Sequence, residues 1–143
     1  MEAKLHALKT RLIEINDLQA SAALLYWDQS TYMPPGGAAA RGRQIATLSQ
    51  LAHEKFTDDT IGKLLDDLRP YEQSQPYDSD EASLIRVARR DHERAVRMPA
   101  SFVAEFSSHS SLTYNAWTKA RPENDFAAVR PYLEKTLELS RQM

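Results

Sequence analysis

The spacing of apolar residues near the start of the chain constrains the fold more than any other feature of the sequence. Between Ala3 and Tyr26 these residues recur at steps of three and four, at Leu5, Leu8, Leu12, Ile15, Leu18, Ala22 and Leu25. Such spacing places the side chains on one face of an amphipathic helix. It predicts a long helix that buries one side and exposes the other.

A break follows this helix at residues 34–37, Pro-Pro-Gly-Gly. Proline supplies no N–H and disfavours helical geometry in the residue before it, so the first helix must end here. A second helix with the same apolar spacing is predicted to begin after Gly37. The chain has only 4 glycines and almost no pattern typical of strands, which favours helices throughout.

Prolines and capping residues divide the rest of the chain into further predicted helices. A third helix is predicted to begin after the cap residues Thr57 and Asp58 and to stop at Pro70, where a loop over 70–79 begins. Asp78 and Glu81 predict a capping box for the fourth helix. The fifth is predicted to open at Pro99, and the last at Pro131 after a short turn at 125–130. The predicted fold is therefore all-α, an antiparallel bundle of about five to six helices.

Composition excludes several classes of protein. The formal net charge of -2 gives no basic surface for nucleic acid or for an anionic membrane. Cysteine is absent, which excludes disulfide scaffolds and cysteine metal sites and agrees with a cytoplasmic location. At 143 residues the chain is one domain or part of one. Leu133, Leu137 and Leu139 continue the helical spacing with no closing residue after them, so we expect the chain to be part of a longer protein.

No catalytic constellation is complete in these residues. His53-Glu54 and His92-Glu93 each begin like the zinc motif H-E-x-x-H, but Thr57 and Val96 stand where the second histidine is needed. Asp28 has no second acid at a spacing that suggests an acid/base pair. We therefore predict no catalytic residue and no metal ligand within this chain.

The charged run at 88–97, ARRDHERAVR, has two interpretations. Asp91 with Arg94 and Glu93 with Arg97 have helical spacing, which predicts a solvated face with ion pairs along one helix. Alternatively, the arginines form an electropositive groove for a carboxylate. The first interpretation is favoured.

A family resemblance rests on residues 24–56, LLYWDQSTYMPPGGAAARGRQIATLSQLAHEKF. The triplet Trp-Asp-Gln, then Thr-Tyr-Met-Pro with its Pro-Gly-Gly turn, then Leu-Ala-His-Glu, resembles the amino-terminal region of the thermostable carboxypeptidases, the carboxypeptidase Taq family. RRDHERAVRMP (89–99) and DFAAVRPYLEK (125–135) are also similar to that family. The resemblance covers nearly the whole chain.

The resemblance implies a largely helical, zinc-dependent metallocarboxypeptidase, often homodimeric, that releases single residues from peptide C-termini with broad specificity. In that family the zinc ligands lie on an H-E-x-x-H helix and a downstream glutamate, beyond the part that residues 1–143 match. The chain is therefore expected to be an amino-terminal region that helps to wall the substrate groove and is inactive by itself. The alternative is a standalone helical interaction or oligomerisation module.

The segment around Asp28 also has two interpretations. Leu24 to Trp27 could pack the end of the first helix, with Asp28 pairing with Arg41 or Arg43 or capping the backbone after the break. This interpretation is favoured. The other assigns a set of residues to the wall of the peptide-binding groove: Trp27, Asp28, Gln29, Tyr32 and Arg41.

Overall fold

The first helix, α1, spans Glu2–Thr31 and is the longest element of the fold. The computed structural model describes all residues from Met1 to Met143. At about 1.5 Å per residue, α1 is roughly 45 Å long. Its predicted stripe is confirmed, because Leu5, Leu8, Ile15 and Ala22 are all buried. The helix ends where the N–H groups of two successive residues, Tyr32 and Met33, both donate to the carbonyl oxygen of Asp28, at 3.0 and 2.9 Å.

The predicted break is also confirmed, and it takes the form of a short 3-10 turn over Pro35–Gly37. Helix α2 then spans Ala38–Phe56. No glycine of the chain has a positive φ, so the turn does not depend on left-handed backbone. A Cβ atom at position 37 would lie 3.1 Å from Cγ of Met33, so a larger residue there would require the Met33 side chain to shift by a few tenths of an ångström. The Met33 side chain therefore folds closely over the turn.

Helices α3 (Asp59–Ser74) and α4 (Asp80–Ala95) follow. The prediction that Pro70 stops α3 is wrong, and the predicted loop over 70–79 is shorter than expected. Pro70 is exposed and costs one backbone hydrogen bond, whereas Tyr71, one residue later, packs against the core and keeps the helix going. The predicted capping box at Asp78 is wrong as well. Ser79 caps α4 by accepting a hydrogen bond from the N–H of Ala82 at 3.4 Å.

Helices α5 (Ala100–Ala120) and α6 (Phe126–Ser140) complete the chain. Pro99 immediately precedes α5, as predicted. The prediction that Pro131 starts the last helix after a turn at 125–130 is wrong. Asp125 caps α6 by accepting from the N–H of Ala128 at 3.1 Å, so the helix starts at Phe126 and runs through Pro131.

The helices pack in the spatial order α4, α3, α1, α2, α5, α6. Neighbours run antiparallel: Lys55 Nζ lies 3.2 Å from Glu14 Oε2 near one end of the α1–α2 pair, and Arg41 binds Asp28 near the other. The predicted all-α antiparallel bundle is confirmed, with six α-helices. None of these helices is both long enough and apolar enough to span a membrane.

The largest hydrophobic cluster lies between the amino-terminal half of α1, the end of α2, and helices α3 and α4. Its nine buried residues are Leu5, Leu8, Ile15, Ala52, Ile61, Leu65, Leu68, Ile85 and Ala88. Burying a leucine or isoleucine side chain contributes about 1.5–3 kcal/mol, so this cluster is the main source of stability for these helices.

Candidate functional site

The candidate site lies where α1 ends and α2 begins. The Pro-Gly turn reverses the chain, and the antiparallel return brings α2 alongside the last turns of α1. As a result Asp28 and Arg41, 13 residues apart in sequence, form an ion pair. The favoured prediction that Asp28 pairs with an arginine is confirmed for Arg41. The other arginine considered, Arg43, instead donates to the carbonyl oxygen of Ala39 at 3.3 Å.

Arg41 is fixed by three acceptors. Besides the Asp28 carboxylate, its guanidinium donates to the carbonyl oxygen of Leu25 at 3.1 Å and to Oε1 of Gln44 at 3.2 Å. The side chains of Arg41 and Asp28 are only 18% and 33% exposed. The arginine beside it neutralises the charge of the Asp28 carboxylate, and the pair ties the end of α1 to the start of α2.

Two aromatic side chains stand on the solvent side of the same segment. The rings of Trp27 and Tyr32 meet edge to face, with their centroids 5.6 Å apart. Trp27 is 56% exposed and Tyr32 is 76% exposed. Exposed aromatics in contact with each other offer a flat apolar surface with a polar tip, which is common where proteins bind other molecules.

The interpretation that Leu24 to Trp27 pack the end of α1 is therefore wrong for Leu24 and Trp27, which are both more than half exposed. Leu25 is half-buried, and Tyr26 is 37% exposed. The physical reason is helical phase. Ala22 and Leu25 define the buried face of α1, and positions 24 and 27 point away from it.

Gln29 lies on the buried side of α1, apart from the other four predicted groove residues. Its side chain is enclosed against α5, where Nε2 donates to the carbonyl oxygen of Ser111 at 3.1 Å and Oε1 accepts from Ser111 Oγ at 2.9 Å. Ser111 is fully buried. The structure therefore brings together Trp27 with Tyr32 and Asp28 with Arg41, and it turns Gln29 inward.

Sequence reasoning missed Ser111 and the inward direction of Gln29, although a signal for Gln29 was present. Gln29 follows Leu25 by four residues and so continues the buried stripe of α1. A polar residue in that register must find a hydrogen-bond partner inside the protein. Gly42 of α2 lies beside the contact, where a Cβ would be 3.5 Å from Ser111 Oγ.

The histidines do not form a metal site. Nε2 of His53 lies 2.7 Å from the carbonyl oxygen of Met98, and Nε2 of His109 lies 3.0 Å from Thr136 Oγ1. Nε2 of His92 is buried without a hydrogen-bond partner, and burial lowers the pKa of this imidazole. No three histidine, aspartate or glutamate side chains converge in a way that could hold a metal ion.

The charged run on α4 forms ion pairs, but not the predicted ones. Arg89 reaches across to α3, where its guanidinium lies 3.3 Å from Asp66 and 3.5 Å from Glu72. Arg90 pairs with its neighbour Asp91 at 2.8 Å. The predicted pairs within α4, Asp91 with Arg94 and Glu93 with Arg97, do not form. Carboxylates of α3 are closer to the guanidinium of Arg89 than those of its own helix.

Comparison with known proteins gives a consistent result. A family model described as Carboxypeptidase Taq (M32) metallopeptidase matches residues 7–143. Thermostable carboxypeptidase 1 of Thermus thermophilus is 34% identical over 125 residues, which cover 87% of this chain and 24% of that protein. Carboxypeptidase 1 of Bacillus subtilis is 28% identical over 131 residues, covering 92% of this chain and 26% of that protein.

Solved structures show the same fold. The crystal structure named BsuCP superposes with a TM-score of 0.89 at 25% identity, and the match covers 96% of this chain and 27% of that one. The M32 carboxypeptidase from Deinococcus radiodurans superposes with a TM-score of 0.68 at 46% identity, again covering 96% of this chain and 27% of that one. The chain thus spans about a quarter of the length of the curated relatives it matches.

Proposed function

The chain belongs to the carboxypeptidase Taq (M32) metallopeptidase family, and from this membership we propose that it is the amino-terminal region of a zinc-dependent carboxypeptidase. The parent enzyme would release C-terminal amino acids from peptides with broad specificity. The observation that carries the proposal is the family match over residues 7–143. The names of the relatives, all carboxypeptidases, support the same activity.

In this proposal the chain provides part of the wall of the substrate groove. Trp27 and Tyr32 would contact the peptide, because they are exposed and their rings already support each other. Asp28 and Arg41 would fix the backbone of α1 and α2 beneath those rings. Gln29 would be a positioning residue, since its bonds to Ser111 hold the same turn of α1 against α5.

The chemistry of bond cleavage would come from residues outside this chain. Its histidines and acids do not fit a metal site, because no three of them converge. We therefore assign no step of the reaction to any of these side chains. Zinc, a homodimeric assembly and a cytoplasmic location complete the proposal. The absence of cysteine agrees with a reducing compartment.

The experiment is a chimera in which this chain replaces the matched segment of the Thermus thermophilus carboxypeptidase. The readout is the release of C-terminal amino acids from a blocked dipeptide, with zinc or cobalt and with or without a chelator. We expect the chain alone to be inactive and the chimera to show chelator-sensitive activity. Trp27→Ala or Tyr32→Ala in the chimera should raise KM for peptide more than it lowers kcat, because these rings would bind substrate without acting on the scissile bond.

The matched control is Tyr77→Ala, which removes an equally exposed aromatic ring in the loop before α4. It should leave KM unchanged. A chimera that folds, binds metal and releases no amino acid would contradict the proposal and favour a helical interaction module. Equal effects of Tyr32→Ala and Tyr77→Ala would remove the groove assignment but leave the family activity in place.

A further inference from the structure

Helix α6 lies at the end of the row of helices and packs one side against α5. On that side Val129 and Leu139 are buried, and the carbonyl oxygen of Tyr132 lies 3.1 Å from Nε2 of His109 on α5. The side is thus already occupied by both apolar and polar contacts. Leu139, which continues the helical spacing of Leu133 and Leu137, is fully buried.

The adjoining side of α6 carries large apolar side chains that are largely exposed. Phe126, Leu133 and Leu137 are 64%, 40% and 59% exposed. Their spacing of seven and four residues places them on one stripe of the helix. Trp117 of α5, 47% exposed, extends the same surface. We call these four residues the α6 outer face.

A cleft opens in the α6 outer face, between α5 and α6. It is open to solvent and has a volume of about 510 Å³, and Trp117, Phe126, Val129 and Leu133 line it. Arg121 and Asp125 lie at its polar edge. Its volume falls in the range of about 300–1,000 Å³ that is typical of ligand sites. Single exposed apolar residues need no explanation, but a contiguous apolar surface around a cleft marks an interaction site.

The length of the family's proteins indicates what covers this surface. About 96% of this chain superposes on solved family structures, but the match covers only 27% of their chains. Roughly three quarters of the family's polypeptide is thus additional to the six helices described above. This large body of protein needs a surface on which to pack, and the α6 outer face offers exposed apolar side chains around an open cleft, on a helix that packs only against α5 within this chain.

We propose that the α6 outer face is the docking surface for the polypeptide that makes up the remaining three quarters of the family fold. The occupant would present an apolar helix face and insert at least one large apolar side chain into the cleft beside Trp117. The proposal rests on the family membership and on the geometry of α6. It does not depend on the carboxypeptidase activity proposed above.

The test uses the absence of cysteine from this chain. Leu137→Cys is introduced into the isolated chain and into the Thermus chimera, and the rate of thiol alkylation at this position is followed by peptide mass spectrometry. A thiol in a covered interface reacts only when the structure opens, so we expect labelling at least about tenfold slower in the chimera. Val87→Cys on α4, at the other end of the row and 44% exposed in the wild-type chain, is the matched control. Its rate should be the same in both proteins.

A second measurement needs no substitution in the surface. Hydroxyl-radical oxidation of Trp117 should be slower in the unsubstituted chimera than in the isolated chain, whereas oxidation of the exposed Tyr77 should not change. The proposal would be overturned if the isolated chain and the chimera gave equal rates, both for alkylation of the Leu137→Cys variant and for oxidation of Trp117. Protection in the isolated chain that grows with its concentration would also overturn it, because the occupant would then be a second copy. A chimera that is inactive but protects both positions would leave the proposal standing while contradicting the proposed function.

Discussion

The two ends of the row of helices are held together by different kinds of contact. At one end, which we call the aliphatic end, α3 and α4 pack with the first half of α1 around the cluster of nine buried residues. At the other, which we call the polar end, α5 packs with the end of α1 and the start of α2, and α6 packs against α5. There the deeply buried residues include Gln29 and Ser111, which are tied by two hydrogen bonds.

The outer surfaces of the two ends also differ. The polar end exposes Trp27, Tyr32, Trp117, Phe126 and Leu137, each at least 47% accessible. The aliphatic end also exposes large apolar residues, among them Ile13 at 60% and Tyr77 at 77%. At the polar end, however, exposed aromatic residues lie together: Trp27 contacts Tyr32, and Trp117 and Phe126 line one cleft. This difference agrees with the proposals that Trp27 and Tyr32 contact peptide and that the α6 outer face binds further polypeptide.

The largest predicted effect is the loss of stability when a buried leucine of the aliphatic end is truncated. Leu68→Ala should lower the free energy of unfolding by about 2–5 kcal/mol, because the side chain is fully buried and its loss leaves a cavity in the cluster. Urea unfolding followed by circular dichroism measures the loss. Leu133→Ala, the same change on the exposed α6 outer face, should cost about 0.5 kcal/mol or less in the isolated chain. Equal losses at the two positions would show that the two ends do not differ in the way described.

The second effect tests the hydrogen bonds of the polar end. Ser111→Ala removes the hydroxyl donor and leaves Gln29 Oε1 buried without its partner, which should cost about 1–3 kcal/mol. Gln29→Met should also destabilise the chain. The double variant should lose less than the sum, with a coupling of about 0.5–3 kcal/mol, because no polar group of this pair of side chains is then left unpaired. Urea unfolding of the wild type, the two single variants and the double variant measures this coupling. If the loss in the free energy of unfolding of the double variant equalled the sum of the two single losses, the two side chains would not be coupled.

The aliphatic end was largely predictable from the sequence, and the polar end was not. Steps of three and four among aliphatic residues specify which face of a helix is buried, so the stripe on α1 followed directly from its spacing. The same rule gives no sign that Gln29 meets Ser111, which lies 82 residues away. A polar pair across that separation depends on tertiary packing, and local spacing contains no information about it.

The predictions of helix boundaries at two prolines and of ion pairs within α4 were wrong because they relied on local sequence rules alone. Pro70 and Pro131 both lie inside helices, since a lost hydrogen bond at an exposed position is outweighed by the packing of nearby apolar residues. Arg89 pairs with Asp66 and Glu72 of α3, although Glu93 stands four residues along its own helix, because the packing of α3 against α4 brings those carboxylates to its guanidinium. Of the predicted site, the Asp28–Arg41 pair followed from the turn between their helices. The contact of Trp27 with Tyr32 required the structure.

A smaller effect is expected at the ion pair beneath the exposed aromatic rings. Asp28→Asn removes the charge that faces Arg41, and the pair is partly shielded from solvent, so the loss should be about 1 kcal/mol and should shrink at high salt. The control is Glu134→Gln, which removes the partner of Arg130 in a pair whose side chains are 60% and 68% exposed. Its effect should be smaller still. Losses of the same size in both variants, at low and at high salt, would mean that burial gives the Asp28 pair no added strength.

The smallest expected effect is a dependence of stability on pH at the aliphatic end, caused by His92. Its ring meets Phe56 edge to face, and Nε2 is buried without a partner. Burial lowers the pKa of this imidazole below its ordinary value of 6.5, and the charges of Glu93, Asp66 and Asp59 act in the opposite direction.

The sign follows from which state of the protein binds the proton more readily. Because the pKa of His92 is lower in the folded state, the unfolded chain takes up the proton first as the pH falls. The contribution of the neutral ring is fully present above the unfolded-state value and is lost as the pH falls from there through the folded-state pKa. Urea midpoints measured from about pH 8 to about pH 5 should therefore decline for the wild-type chain and decline less for His92→Phe. His6→Gln, at an exposed histidine on the same protein, should leave the wild-type profile unchanged. If the urea midpoints of His92→Phe declined with pH as much as those of the wild type, the loss of stability in acid would come from a group other than His92.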